Sequence, residues 1–136
     1  MKPIILTLLL IFMSCKTVSN KINQNFPSGT YKIVTLNADK FNPEKNYFVN
    51  INSEEKRLGG KFDCNNYTVE YEKEKNSINF GYAISTKMYC EGKMHNENAF
   101  FGKLNAIKTF SYQNKTLKLF SEENDLIVEL KYVKDE

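Results

Sequence analysis

Residues 67–82 read Tyr-Thr-Val-Glu-Tyr-Glu-Lys-Glu-Lys-Asn-Ser-Ile-Asn-Phe-Gly-Tyr, and their rhythm has a period of two. Tyr67, Val69 and Tyr71 alternate with Thr68, Glu70 and Glu72, then a charged turn spans 73–76, then Ile78, Phe80 and Tyr82 alternate again. Successive side chains of a strand point to opposite faces, so this stretch predicts two antiparallel strands with one apolar face and one wet face. The Glu70, Glu72 and Glu74 carboxylates belong to the wet face, where charge also discourages edge-to-edge pairing.

The same rhythm extends in both directions. Upstream, strands are predicted at 31–36, at 47–52 with Tyr47, Val49 and Ile51 on one face, and at 57–62, where Gly59-Gly60 suggests a bulge or a close backbone approach. Downstream, strands are predicted at 109–113, 116–120 and 126–133, the last with Leu126, Val128, Leu130 and Tyr132 facing one way. One segment breaks the pattern. Between Lys93 and Ile107, apolar residues recur at three- and four-residue steps and β-branched residues are scarce, which predicts an amphipathic helix with His95 or Asn96 as cap and Glu97 in its first turn. About eight short strands and one helix predict a mainly β domain, a compact antiparallel barrel-like sheet of lipocalin type with the helix closing an end or an open side.

Composition agrees with a single domain. The chain has 136 residues, 41% hydrophobic and 26% charged, with 8 Tyr, 10 Phe and no Trp, enough apolar and aromatic surface for one core. A net charge of +3 from 19 basic and 16 acidic residues supplies no field for gripping a phosphate backbone, so nucleic acid is not an expected partner. A monomer is expected.

Residues 1–15, MKPIILTLLLIFMSC, carry one Lys, a short apolar run and a small residue before a cysteine. The run 4–13 would rise only about 15 Å as a helix, half the hydrocarbon thickness, so it reads as a secretory signal. Its end, Phe12-Met13-Ser14-Cys15, resembles a bacterial lipobox, which implies cleavage after residue 14 and acylation of Cys15. Residues 15–29 then form a lipidated start and a polar tether, and residues 30–136 the domain. The expected partner is a lipid bilayer reached through Cys15, on a periplasm-facing surface of a bacterial envelope, together with an envelope protein of unknown identity.

Residues spaced along the body carry a resemblance. Gly60 leads Cys64-Asn65 and Tyr71; Thr86-Lys87-Met88-Tyr89-Cys90 follows; Glu97, Phe100 and Leu104 lie on the helix, and Leu117 and Leu119 on a late strand. This order is similar to the META domain of the heat shock protein HslJ-like family. The chain departs from it at Tyr31, where the family often has Trp, and at Asp63 and Val69, where it often has Gly. The resemblance implies a compact β-barrel-like fold, an envelope lipoprotein setting, links to heat or antibiotic stress in some members, and no established activity.

Cys64 and Cys90 are expected to form a structural disulfide in an oxidising compartment, the competing readings being two buried free thiols or a redox-active pair. No metal site, cofactor or catalytic residue is expected. His95, the single histidine, reads as a solvated residue at the helix start, and no Gly-x-Ser-x-Gly turn or phosphate loop is present. The chain is therefore expected to be no enzyme and to act through its surface. The alternative is a carrier of a small apolar ligand inside an aromatic-lined barrel.

Overall fold

The computed structural model describes residues 24–37, 39–40 and 46–133; the leader, Cys15 and the first part of the tether lie outside them. Ten strands form in chain order: β1 (Gly29–Leu36), β2 (Asp39–Lys40), β3 (Phe48–Asn52), β4 (Arg57–Lys61), β5 (Asn66–Glu74), β6 (Ser77–Phe80), β7 (Ile84–Ser85), β8 (Thr109–Gln113), β9 (Thr116–Phe120) and β10 (Leu126–Tyr132). The one helix among the described residues, α1 (His95–Lys103), continues into a 3-10 turn, Leu104–Ala106. Neighbouring strands run β10-β9-β8-β6-β5-β4-β3-β1, all antiparallel, and β10 pairs back onto β1, with Tyr31 opposite Tyr132 and Leu36 opposite Val128. Eight strands thus close a barrel. The two-residue strands β2 and β7 add to β1 and β5.

Alternation drives this arrangement as the sequence predicts. In β5 the inward Tyr67, Val69 and Tyr71 are at most 5% exposed, whereas Glu70, Glu72 and Glu74 face water. The β8–β9 connection uses Asn114 and Lys115, both with positive φ, in a two-residue turn; positive φ at both positions matches the right-handed twist of a hairpin. β6 and β8 share only the Ser77–Thr109 pair, and the helical segment lies beside this weak seam, with Phe100, Leu104 and Ile107 turned into the core at 2% exposure or less.

Several expectations are corrected. The helix begins two residues later than 93, and neither His95 nor Asn96 caps it: Met94 is the N-cap, without a side-chain bond, while Asn96 Nδ2 donates to the Tyr47 hydroxyl at 3.1 Å. In β10 the register shifts between Leu126 and Val128, so Ile127 and Val128 are both buried and Leu126 is not. Tyr82 does not continue the inward face of β6. That strand ends at Phe80, and Tyr82 is 86% exposed. The domain also begins before residue 30: Phe26 is 4% exposed, edge-on to Tyr71 at 4.8 Å and Phe110 at 5.1 Å, and Gln24 accepts from the Tyr112 amide. Gly59-Gly60 makes a close approach and not a bulge, because β4 pairs without interruption to both neighbours. A Cβ on Gly60 would collide with the Phe48 carbonyl oxygen and stand 3.0 Å from the Tyr67 hydroxyl. The non-Gly residues at the family's Gly positions are accommodated, since neither Asp63 nor Val69 has positive φ.

Candidate functional site

Cys64 and Cys90, 26 positions apart, are joined with an S–S distance of 2.08 Å. The bond ties the start of β5 to the segment that leaves β7 for α1. Next to it, Asn65 is 1% exposed. Its Nδ2 donates to Glu97 Oε1 at 2.9 Å and to the Met88 carbonyl at 3.1 Å. Its Oδ1 accepts from the Thr86 hydroxyl at 2.7 Å and from the Met88 amide at 2.9 Å. A side-chain amide has two N–H donors and two lone pairs, and Asn65 uses all four.

Glu97, 3% exposed, completes the group by also accepting from the Asn65 backbone amide at 3.3 Å. Its place in the first turn of α1 puts the carboxylate where the helix dipole favours negative charge. The Thr86 hydroxyl accepts in turn from the Asn66 amide at 3.2 Å, and the Thr86 amide donates to the Asn66 carbonyl at 3.0 Å. The spaced pattern is therefore a clamp. Asn65 is its hub, Thr86 and the Met88 backbone fix the crossing segment, and Glu97 fixes the helix. Gly60, Tyr71, Phe100 and Leu104 serve packing: Gly60 by close approach, and the other three by burial at 4% or less.

Side chains fill the barrel interior. Phe26, Tyr71, Phe80 and Phe110 cluster around the β5–β6 hairpin, while Phe62, Tyr67, Phe100 and Phe101 cluster under the helix with centroids 5.3–6.1 Å apart. Among the described residues the Tyr67 hydroxyl is buried without a hydrogen-bond partner, and burial pushes its pKa well above the ordinary phenol value. Tyr31 is shifted the same way, first by burial and then by its hydrogen bond and charge interaction with Tyr112 and by the charge of Tyr132; Tyr71 is raised by burial. His95 is exposed. Between residues 85–89 and α1 lies a groove of about 350 Å³, floored by Asn65 and Glu97 and walled by Met88, Tyr89, Met94 and Phe101.

No signal in the spacing pointed to the exposed group Tyr82, Ile84, Met88 and Tyr89. Tyr82 and Ile84 fall where strand alternation breaks off, and the side chain of Met88 stands in water while its backbone enters the clamp. Among the described residues no helix is long and apolar enough to cross a membrane.

Fold and clamp together define a small closed β-barrel with one helix across its weak seam, pinned by a disulfide. The chain belongs to the META domain family, whose pattern matches residues 24–133. Solved structures of similar fold include a protein from Burkholderia xenovorans, at 16% identity and a TM-score of 0.62, covering 79% of this chain and 83% of that one. A DUF4847 family protein from Bacteroides vulgatus is similar at 14% identity and a TM-score of 0.58, covering 80% and 95%. At these identities the likeness concerns the fold. No curated protein matches the chain.

Proposed function

We propose that this META domain protein is a non-enzymatic lipoprotein of the HslJ-like kind, acylated at Cys15, held at a periplasm-facing bilayer of the bacterial envelope, and acting through its outer surface in envelope stress. The observation that carries this reading is the clamp. The polar residues of the spaced pattern, Asn65, Thr86 and Glu97, bond to one another and to backbone, so their chemistry is used in holding the fold. The disulfide adds support, since such bonds persist in oxidising compartments. The interior favours a surface role over a carrier role, because the buried Phe and Tyr rings among the described residues pack on one another in the space a ligand would take.

The test is labelling of growing cells with palmitate. The chain is expected to incorporate label and to lose it in the Cys15→Ser form; an unlabelled chain, with its leader intact or trimmed elsewhere, overturns the anchoring. In-cell crosslinking of the two forms then addresses the surface role, with adducts of the acylated form missing from Cys15→Ser. Turnover of a small substrate by the purified domain overturns the non-enzymatic part.

A further inference from the structure

Of the five large apolar side chains that stand exposed among the described residues, four lie on one short segment: Tyr82 at 86%, Ile84 at 70%, Met88 at 52% and Tyr89 at 82%. Such a segment would ordinarily be a loose loop. Here it is fixed at four places: Ile84 and Ser85 pair with Thr68 and Tyr67 of β5, the Thr86 amide bonds the Asn66 carbonyl, both backbone groups of Met88 bond Asn65, and Cys90 ends it in the disulfide. The clamp therefore holds the backbone in place and leaves the apolar side chains in water. That is preorganisation, which lowers the ordering cost of docking.

We propose that the Tyr82–Tyr89 segment is a bilayer-contact surface, with Tyr82, Ile84, Met88 and Tyr89 seated in the interfacial zone of a phospholipid membrane and Lys87 and Lys93 meeting lipid phosphates. Two observations select a bilayer as the occupant. Charge is the first: along residues 82–93 the exposed Lys87 and Lys93 stand against Glu91 as the one acid, two positive against one negative. Lysine is depleted in protein–protein contacts, and tyrosine is enriched at membrane–water interfaces. Reach is the second, and it rests on the acylation reading. Gln24 is seated on Asn76 and Tyr112, and only residues 16–23 separate it from Cys15. That stretch extends at most about 30 Å, close to the roughly 30 Å length of the nine-residue strand β5. An acylated chain could not carry the barrel farther from the lipid than about its own length.

The chain has no Trp, so Tyr89→Trp gives one clean reporter, and Lys131→Trp on β10 gives another across the barrel. Each lipoprotein is reconstituted in phosphatidylethanolamine–phosphatidylglycerol vesicles with plain or brominated acyl chains. Mass spectrometry of the same samples reads the Cys15 acyl group. The expected result is a blue shift and loss of more than half the emission to bromine for Tyr89→Trp, with Lys131→Trp unquenched. Adding Tyr82→Ser and Ile84→Ser, both at exposed positions, is expected to abolish most of that quenching without moving the thermal midpoint. Acylated protein whose Tyr89→Trp emission is the same in both vesicles overturns this surface and leaves the anchor standing. A blue shift without quenching, as a covering protein or second copy would give, overturns it too. If Cys15 carries no acyl group, the anchor fails. The soluble form is then titrated with the same vesicles: saturable quenching supports the surface, and none overturns it.

Discussion

Asn65 shows how much of this fold rests on one amide. All four of its side-chain hydrogen-bonding positions are used, and two of its N–H groups serve a carboxylate that is 3% exposed. Removing a partner from a buried charged group is costly because the charge loses its compensation and gains no water. Asn65→Ala is therefore expected to lower unfolding free energy by about 2–3 kcal/mol, measured by urea denaturation. Tyr67 is the opposite case, since its buried hydroxyl has no partner among the described residues. Tyr67→Phe deletes a desolvated polar group and leaves the ring packing unchanged, so stability at neutral pH is expected to rise by up to about 1 kcal/mol. The same burial has a pH consequence. Tyr31, Tyr67 and Tyr71 all hold their protons above the ordinary phenol value, near 10 in the unfolded chain. Above that pH the unfolded chain has released protons that the folded one retains, so stability falls as pH rises. The urea midpoint is expected to carry this contribution in full below about pH 10 and to decline above it, with a shallower decline in Tyr67→Phe.

Among the elements, the segment between β6 and α1 depends most on cross-links. Closing a loop of 26 positions removes unfolded-state entropy worth about 3.5 kcal/mol in the chain-entropy model. Reduction, or paired Cys64→Ser and Cys90→Ser substitution, is expected to cost about that much, seen as a lower urea midpoint with an unchanged far-ultraviolet spectrum at low denaturant. Strands and helix were legible in the sequence because one-sided alternation and three-to-four spacing are local signals. What stayed hidden was set by partners distant in sequence. Asn96 reads as a helix cap, yet its amide goes to Tyr47, 49 positions away. Leu126-Ile127-Val128 fits either strand phase, and the bulge against β9 buries Ile127 together with Val128 and leaves Leu126 out. Tyr82 continues an alternation on paper, but the strand has ended at Phe80 and the Gly81 amide is bonded to the Glu70 carbonyl. The clamp residues were visible as a spacing and their connectivity was not, because one amide gathers Thr86, Met88 and Glu97 from two different segments.

At the scale of the molecule, closure joins the first barrel strand to the last among the described residues, since β1 pairs with β10, and the residues just before β1 pack into the interior. Phe26 touches Tyr71, Phe80 and Phe110 within 4.8–6.4 Å, all edge-on, and it is buried between β5, β6 and β8. Its presence there makes the approach from the amino terminus part of the core. Replacing it leaves a cavity whose walls belong to paired strands and cannot collapse freely, so Phe26→Ala is expected to cost about 3–5 kcal/mol. A chain starting at residue 30 should lose at least as much, because it also forfeits the Gln24 bonds to Asn76 and Tyr112. Urea denaturation of Phe26→Ala against the intact chain checks this: a loss under about 0.5 kcal/mol, the range of ordinary surface substitutions, means that the ring is not part of the cooperative core.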